Sequence, residues 1–276
     1  MSADPPAEPA APMAPRPPWQ PLTPRGLARF AQATLGRLFL VALIVAIVVA
    51  LAVVWFLRTV YAPVVTQAVQ KMPDGARIQN GQLVGVAETL LSETKLIAIA
   101  VTPDESTDIG QSADAQIQLR QHNFRIGSVF RPDWGMEFDY GPQNIDLGRA
   151  ALEPLWGAWR PVVFTGCGVA VVAALGVSWT LLALLYTAPT KLASWFADRQ
   201  LSWFGAWKIS AAAQMIGALL LVLALVLYGL EAIDLIGVAC FLAGHFVLDW
   251  IYLGAALHCL ERSIPPPPKN PFLKSA

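Results

Sequence analysis

Apolar residues run unbroken over residues 38–57, and with few interruptions over 161–188, 209–230 and 235–257, a pattern that predicts four long hydrophobic helices. The first run, LFLVALIVAIVVALAVVWFL, is 20 residues without a charged or polar side chain. At about 1.5 Å rise per residue it covers the roughly 30 Å hydrocarbon core of a bilayer. The expected fold class is therefore an α-helical integral membrane protein with four spans, plus a small, mainly antiparallel β domain between spans one and two.

That β domain is read from a change of period. Residues 61–71 place Val64, Val65, Ala68 and Val69 on one helical face, and Met72-Pro73-Asp74-Gly75 ends the helix. Short extended runs follow at 76–78, 82–86, 95–102, 115–121, 123–130 and 135–140. Asn80-Gly81 is the strongest hairpin signal, because a type I′ turn needs two positive φ angles. Ala115, Ile117 and Leu119 alternate with Gln116, Gln118 and Arg120, and Phe124 and Ile126 continue the alternation beyond a turn at His122-Asn123. A period of two marks a half-buried antiparallel pair. Residues 96–101 are instead continuously apolar, as for a strand covered on both faces.

Composition agrees with the helices: 55% of residues are hydrophobic and 14% charged, and a formal net charge of +0 makes no case for nucleic acid as a partner. The placement of charge sets an orientation. Arg25, Arg29 and Arg37 precede the first run, Lys191, Arg199 and Lys208 lie between the second and third, and Arg262, Lys269 and Lys274 follow the fourth. The link between the third and fourth carries only Glu231 and Asp234. By the positive-inside rule both termini are cytoplasmic, and residues 58–160, where acids outnumber bases, lie outside. Cys167, Cys240 and Cys259 all fall in the apolar runs or at their ends, so the outer domain has no disulfide framework. This favours a multi-pass protein of the bacterial inner membrane over a disulfide-stabilised animal ectodomain.

The expected organisation is a disordered proline-rich cytoplasmic tail over 1–26, a first helix over 27–60 acting as an uncleaved signal anchor, and an extracytoplasmic α+β domain over 61–160. Spans at 161–189, 209–230 and 235–260 follow, and a tail over 261–276 contains Pro265–Pro268. Between spans two and three, residues 190–208 carry Trp195, Phe196, Trp203, Phe204 and Trp207, expected as an interfacial amphipathic helix on the inner leaflet.

Candidate chemistry is sparse. His245, Asp249 and Tyr252 fall at i, i+4 and i+7 on one face of the fourth run, and Gln214 stands at a comparable depth on the third. An ionised Asp facing lipid costs several kcal/mol, so Asp249 faces protein or water or is neutral. The cluster reads either as an interhelical polar clasp, worth about 0.6 to 2 kcal/mol, or as a proton or cation path. The histidines have no ligand spacing and there is no HExxH, phosphate-binding loop or nucleophile elbow, so no catalytic residue, metal or cofactor is expected. The acids of PDESTD at 103–108 read as a solvated loop. Small residues along the runs, among them Gly166, Ala170, Ala213, Gly217, Gly237 and Gly244, suit a compact bundle and leave homo-oligomerisation open.

The stretch Met72-Pro73-Asp74-Gly75-Ala76-Arg77-Ile78-Gln79-Asn80-Gly81-Gln82-Leu83, after an anchor and a short helix, resembles an uncharacterised bacterial membrane-protein family. So does Leu201-Ser202-Trp203-Phe204-Gly205-Ala206-Trp207-Lys208 before the third run. Some members of that family are associated with maltodextrin utilisation. The resemblance implies an N-terminal span, an extracytoplasmic β domain and a C-terminal helical bundle, and brings no catalytic residues. The functional expectation is a non-enzymatic membrane protein whose outer domain binds or senses a periplasmic or membrane protein partner in a scaffold, assembly or signalling role. The alternative is a transporter or transporter-associated subunit using the polar site of spans three and four.

Overall fold

The structure, a computed structural model, describes residues 21–103, 112–129 and 131–263. The PDESTD acids from Asp104 on, most of the proline-rich N-terminal tail and the C-terminal prolines lie outside the described residues. The fold is mixed: several long apolar helices and a small β domain. Among the described residues, four helical segments, Leu35–Lys71, Arg149–Phe196, Trp203–Gly229 and Leu235–His258, are long and apolar enough to cross a membrane by length and composition. The chain divides into two compact units.

The first unit takes the described residues up to Leu38, Thr180–Ile216 and the described residues from Leu248 on. It opens with helix α1, Pro24–Ala28, which starts within the stretch 1–26 expected to be disordered and runs into the one expected as the first helix. Two local signals make it: Pro24 at the first turn has no amide to satisfy, and Thr23 Oγ1 accepts the Gly26 amide at 3.1 Å as an N-cap. A 3₁₀ turn, Arg29–Gln32, follows, and Leu27 and Phe30 are both fully buried. Burial of each is worth about 1.5 to 3 kcal/mol, enough to anchor the segment that follows the proline-rich stretch.

No separate helix occupies 190–208. Helix α4, Arg149–Phe196, runs straight through its first half, a turn follows, and helix α5, Trp203–Gly229, begins within its second. The turn is made by Asp198 in the left-handed region (φ 54°), with the Arg199 amide bonded back to the Ser194 carbonyl at 2.8 Å. It is stapled to the end of helix α6, Leu235–His258, because Arg199 Nη1 donates to the Leu260 carbonyl at 2.6 Å and the Gln200 amide to the Glu261 carbonyl at 3.1 Å.

The second unit comprises Phe39–Trp179 and Gly217–Val247. Helix α2, Leu35–Phe56, passes through a π-helical turn, Leu57–Tyr61, into helix α3, Ala62–Lys71. Pro63 explains the wide turn: its ring collides with the carbonyl four residues back in an α-helix, and one π turn relieves the collision without stopping the helix. Helix α4 adds its first half, held to α3 by the Trp156 indole donating to Thr66 Oγ1 at 3.0 Å.

The β domain lies between α3 and α4 in sequence. β1 (Arg77–Gln79) and β2 (Gln82–Val84) form the expected hairpin, with Asn80 at φ 52° and Gly81 at φ 76°. The two-residue strand β8 (Ile145–Asp146) pairs with β1 to complete a three-stranded sheet ordered β2-β1-β8. The larger sheet is ordered β3-β4-β5-β6-β7, from Thr89–Glu93, Ile97–Val101, Ala115–Leu119, Asn123–Ser128 and Arg131–Asp139. Its pairs are antiparallel except β4 with β5, which run parallel from Ile97↔Ala115 to Val101↔Leu119. β4 is buried at every position, as its unbroken apolar run requires. Val64 and Ala68 of α3, with Met72 just after it, share one core with Leu91, Ile97, Ile99 and Val101. Tyr228 of α5 donates to Asp114 Oδ2 at 2.9 Å, tying a long helix to the start of β5.

Candidate functional site

Directly opposed residues of a sheet point to the same face, so the registers sort the side chains. One face of the larger sheet carries Val101, Leu119, Phe124 and Phe138 in one row and Ile99, Ile117, Ile126 and Met136 in the next. Helix α3 packs on β3 and β4. Towards β7 the same apolar rows come to the surface: Ile126 is 37% exposed, Phe138 43% and Met136 62%. Phe124 and Phe138 stack at 4.8 Å between centroids, so the outer strands form a firm apolar shelf.

β7 is also an edge strand. Residues 136–139, paired in register with β6 on their other side, present a regular edge beside Met136 and Phe138. The opposite face is closed by polar chains. Gln118, expected on a solvated face, is 7% exposed beneath Arg120, whose Nη1 lies 3.1 Å from Glu137, and Arg125 Nε lies 3.9 Å from the same carboxylate. The sequence alternation placed these residues on one face correctly; side-chain length decides that they cover it rather than wet it.

Tyr140, just after β7, packs against the domain core, and its phenol oxygen is buried with no hydrogen-bond partner. Burial pushes its pKa from the usual 10.0 up to about 12. His122 accompanies Gln82, with their nitrogens 3.3 Å apart, at the turn expected for it.

The polar residues expected as a cluster on the long helices have the following surroundings. Asp249 is 2% exposed in the first unit and interacts electrostatically with Tyr186 of α4. The Tyr186 ring packs on Trp250 at 4.7 Å between centroids. Tyr252 reaches towards the chain start, its hydroxyl 3.5 Å from the Leu22 carbonyl. His245 turns its Nδ1 to the Leu242 carbonyl of its own helix. Gln214 is buried on α5, donating to the Ser210 carbonyl at 3.4 Å, while Ser210 shares a 3.1 Å hydrogen bond with Thr190. The i, i+4, i+7 spacing does not point to Tyr186, which is distant in sequence and sits in an apolar run.

Two lysines of this unit end on carbonyls. Lys208, 7% exposed, donates to the Ala33 carbonyl at 2.8 Å with its ammonium 5.1 Å from the Phe204 ring centroid, and Lys191 donates to the Leu201 carbonyl. Trp195, Phe196, Trp203 and Phe204 are all more than half exposed, whereas Trp207 is half-buried and stacked on Phe204 at 5.7 Å. No group of three or more His, Cys, Asp or Glu side chains suited to a metal occurs among the described residues.

No protein-family model, curated protein or solved structure matches this chain. What the fold defines is a class: a mixed chain of several long apolar helices carrying a small β domain.

Proposed function

We propose that the protein is a multi-pass protein of the bacterial inner membrane, with both termini cytoplasmic, whose periplasmic β domain binds an extended apolar segment of a protein partner. The membrane reading is supported by burial. In the most apolar window of each spanning candidate, only 22% of Leu35–Lys71, 11% of Arg149–Phe196 and 6% of Leu235–His258 is buried, against 61% of Trp203–Gly229. Apolar surface on that scale is unsustainable in water and ordinary in lipid. The basic residues before α2, between α4 and α5 and after α6 support the orientation, and α2 with its arginine flank acts as an uncleaved signal anchor.

The observation that carries the binding reading is the exposed shelf of Ile126, Met136 and Phe138 beside the β7 edge. An added strand hydrogen-bonds along 136–139 and lays alternate apolar side chains on that shelf. The test is photocrosslinking in cells from residues placed at Met136 and Phe138, with Arg125 on the closed face as control. A defined protein captured from the two shelf positions and not from the control is expected. Equal capture from all three, or none from a correctly exported domain, overturns the reading.

A further inference from the structure

A groove of about 970 Å³ runs between α2 and the first half of α4, wholly within the second unit. Its α2 wall is one helical face, with Ile47, Ala50 and Val54 at spacings of three and four, and Arg58 of the following π turn extends it. Its α4 wall carries Gly157, Arg160 and Phe164 at spacings of three and four. The lining is apolar along its length and cationic at one end, where Arg160 lies over the Phe164 ring at 5.8 Å. Arg58 sits in the π turn, immediately after the first apolar run, and Arg160 immediately precedes the second.

Arg160 also lines a second, smaller pocket of about 400 Å³, whose other walls include Thr66, Gln67 and Gln70 of α3. An acyl-length apolar trough, two guanidinium groups and a patch of uncharged amides therefore follow one another around Arg160. Neither lining contains an Asp or Glu.

We propose that this groove and the pocket beside it bind one anionic glycerophospholipid: an acyl chain between α2 and α4, the phosphate on Arg58 and Arg160, and a hydroxylated headgroup against Gln67 and Gln70. The charges select the ligand. Arginine pairs with phosphate through charge-assisted hydrogen bonds, and a site of two cations without an acid disfavours a headgroup that adds an ammonium. Amide groups satisfy the hydroxyls of a glycerol headgroup. The π turn has a role here, since it re-aims Arg58 where an α-helical turn, 3.6 residues long, sets a different direction.

The proposal rests on the membrane reading of α2 and α4, and the two fail separately. Alkaline-carbonate extraction of cell membranes tests the membrane reading alone: release of the chain overturns both, and retention leaves the lipid question to binding. Binding is read by native mass spectrometry of the full-length chain in mild detergent, with phosphatidylglycerol and phosphatidylethanolamine of matched acyl chains added in turn. One retained phosphatidylglycerol per chain is expected, in preference to phosphatidylethanolamine.

Arg58→Gln and Arg160→Gln are each expected to lower its occupancy constant at least about tenfold. Gly157→Leu fills the groove from its wall. A Cβ there meets nothing within 4 Å, so the helix tolerates it and an unchanged melting temperature accompanies the loss of lipid. Equal retention of the two lipids, or undiminished phosphatidylglycerol in all three variants, marks the groove as ordinary lipid-facing surface and overturns the proposal. A photoreactive residue at Val169 that captures another polypeptide helix in place of lipid overturns it as well.

Discussion

Asp249 and Tyr140 show how one buried oxygen takes opposite values in different settings. Asp249 is buried within electrostatic reach of Tyr186, and nothing about an apolar neighbourhood tolerates a charge without such company. If the two form a clasp, a double-mutant cycle of Asp249→Asn and Tyr186→Phe, read by denaturation in detergent, returns a coupling of about 0.6 to 2 kcal/mol. Additive effects exclude the clasp, and a pH- or ion-dependent activity lost at unchanged stability moves the residue to a transport role. Tyr140 is the reverse case: its hydroxyl is desolvated without a partner, so Tyr140→Phe is expected to leave the domain as stable or more stable, by up to about 1 kcal/mol. Its raised pKa has a defined sign. The neutral phenol is favoured in the folded state, so its contribution is intact below pH 10 and is lost as the pH rises through about 12. Ultraviolet titration of the phenolates, comparing wild type with Tyr140→Phe, checks this: the tyrosine missing from the variant curve should be one that ionises late.

Elements here start and stop for local reasons that are mostly visible in the chain. Thr23-Pro24 begins α1, Asn80-Gly81 turns β1 into β2, and Met72-Pro73 ends α3. Gly85 has no such motif around it, yet it stands at φ 77°, and a Cβ added there would lie 2.0 Å from the Gly75 carbonyl oxygen. Gly85→Ala combines a left-handed backbone with a backbone collision, so a loss of at least about 1 to 3 kcal/mol is expected, against a few tenths for Gly141→Ala, where a Cβ meets nothing within 4 Å. Urea denaturation of both variants decides it, and equal stability sinks the argument. The strands β3 and β8 escaped prediction because their residues neither alternate clearly nor form a continuous apolar run. Thr89–Glu93 becomes a strand because β4 offers it an edge, a reason located in another segment.

The whole molecule carries two kinds of element, long apolar helices and a small β domain. The topology proposed for it is testable without knowledge of the partner. In a background lacking Cys167, Cys240 and Cys259, Gly141→Cys is expected to react with an impermeant maleimide once the outer membrane is opened, and Ser202→Cys only after the inner membrane is breached. The opposite pattern reverses the orientation, and labelling of both at the first step removes the barrier between them.

The four long helices, the hairpin at Asn80-Gly81, the buried strand β4 and the polarity of the chain's charges were all legible from sequence alone. Each depends on composition within a window of a few to some twenty residues, and that is where hydrophobic period, turn chemistry and charge act. Tertiary structure decided the rest. It joined 190–208 to its neighbouring helices in place of a separate surface helix, because the left-handed Asp198 turn and its bonds to the end of α6 set the break at 197–202. It set β5 parallel to β4, gave Asp249 the company of Tyr186 and opened the groove between α2 and α4. These features depend on which distant segments meet, and a local pattern carries the tendency of each segment to fold without the identity of the surface it will find.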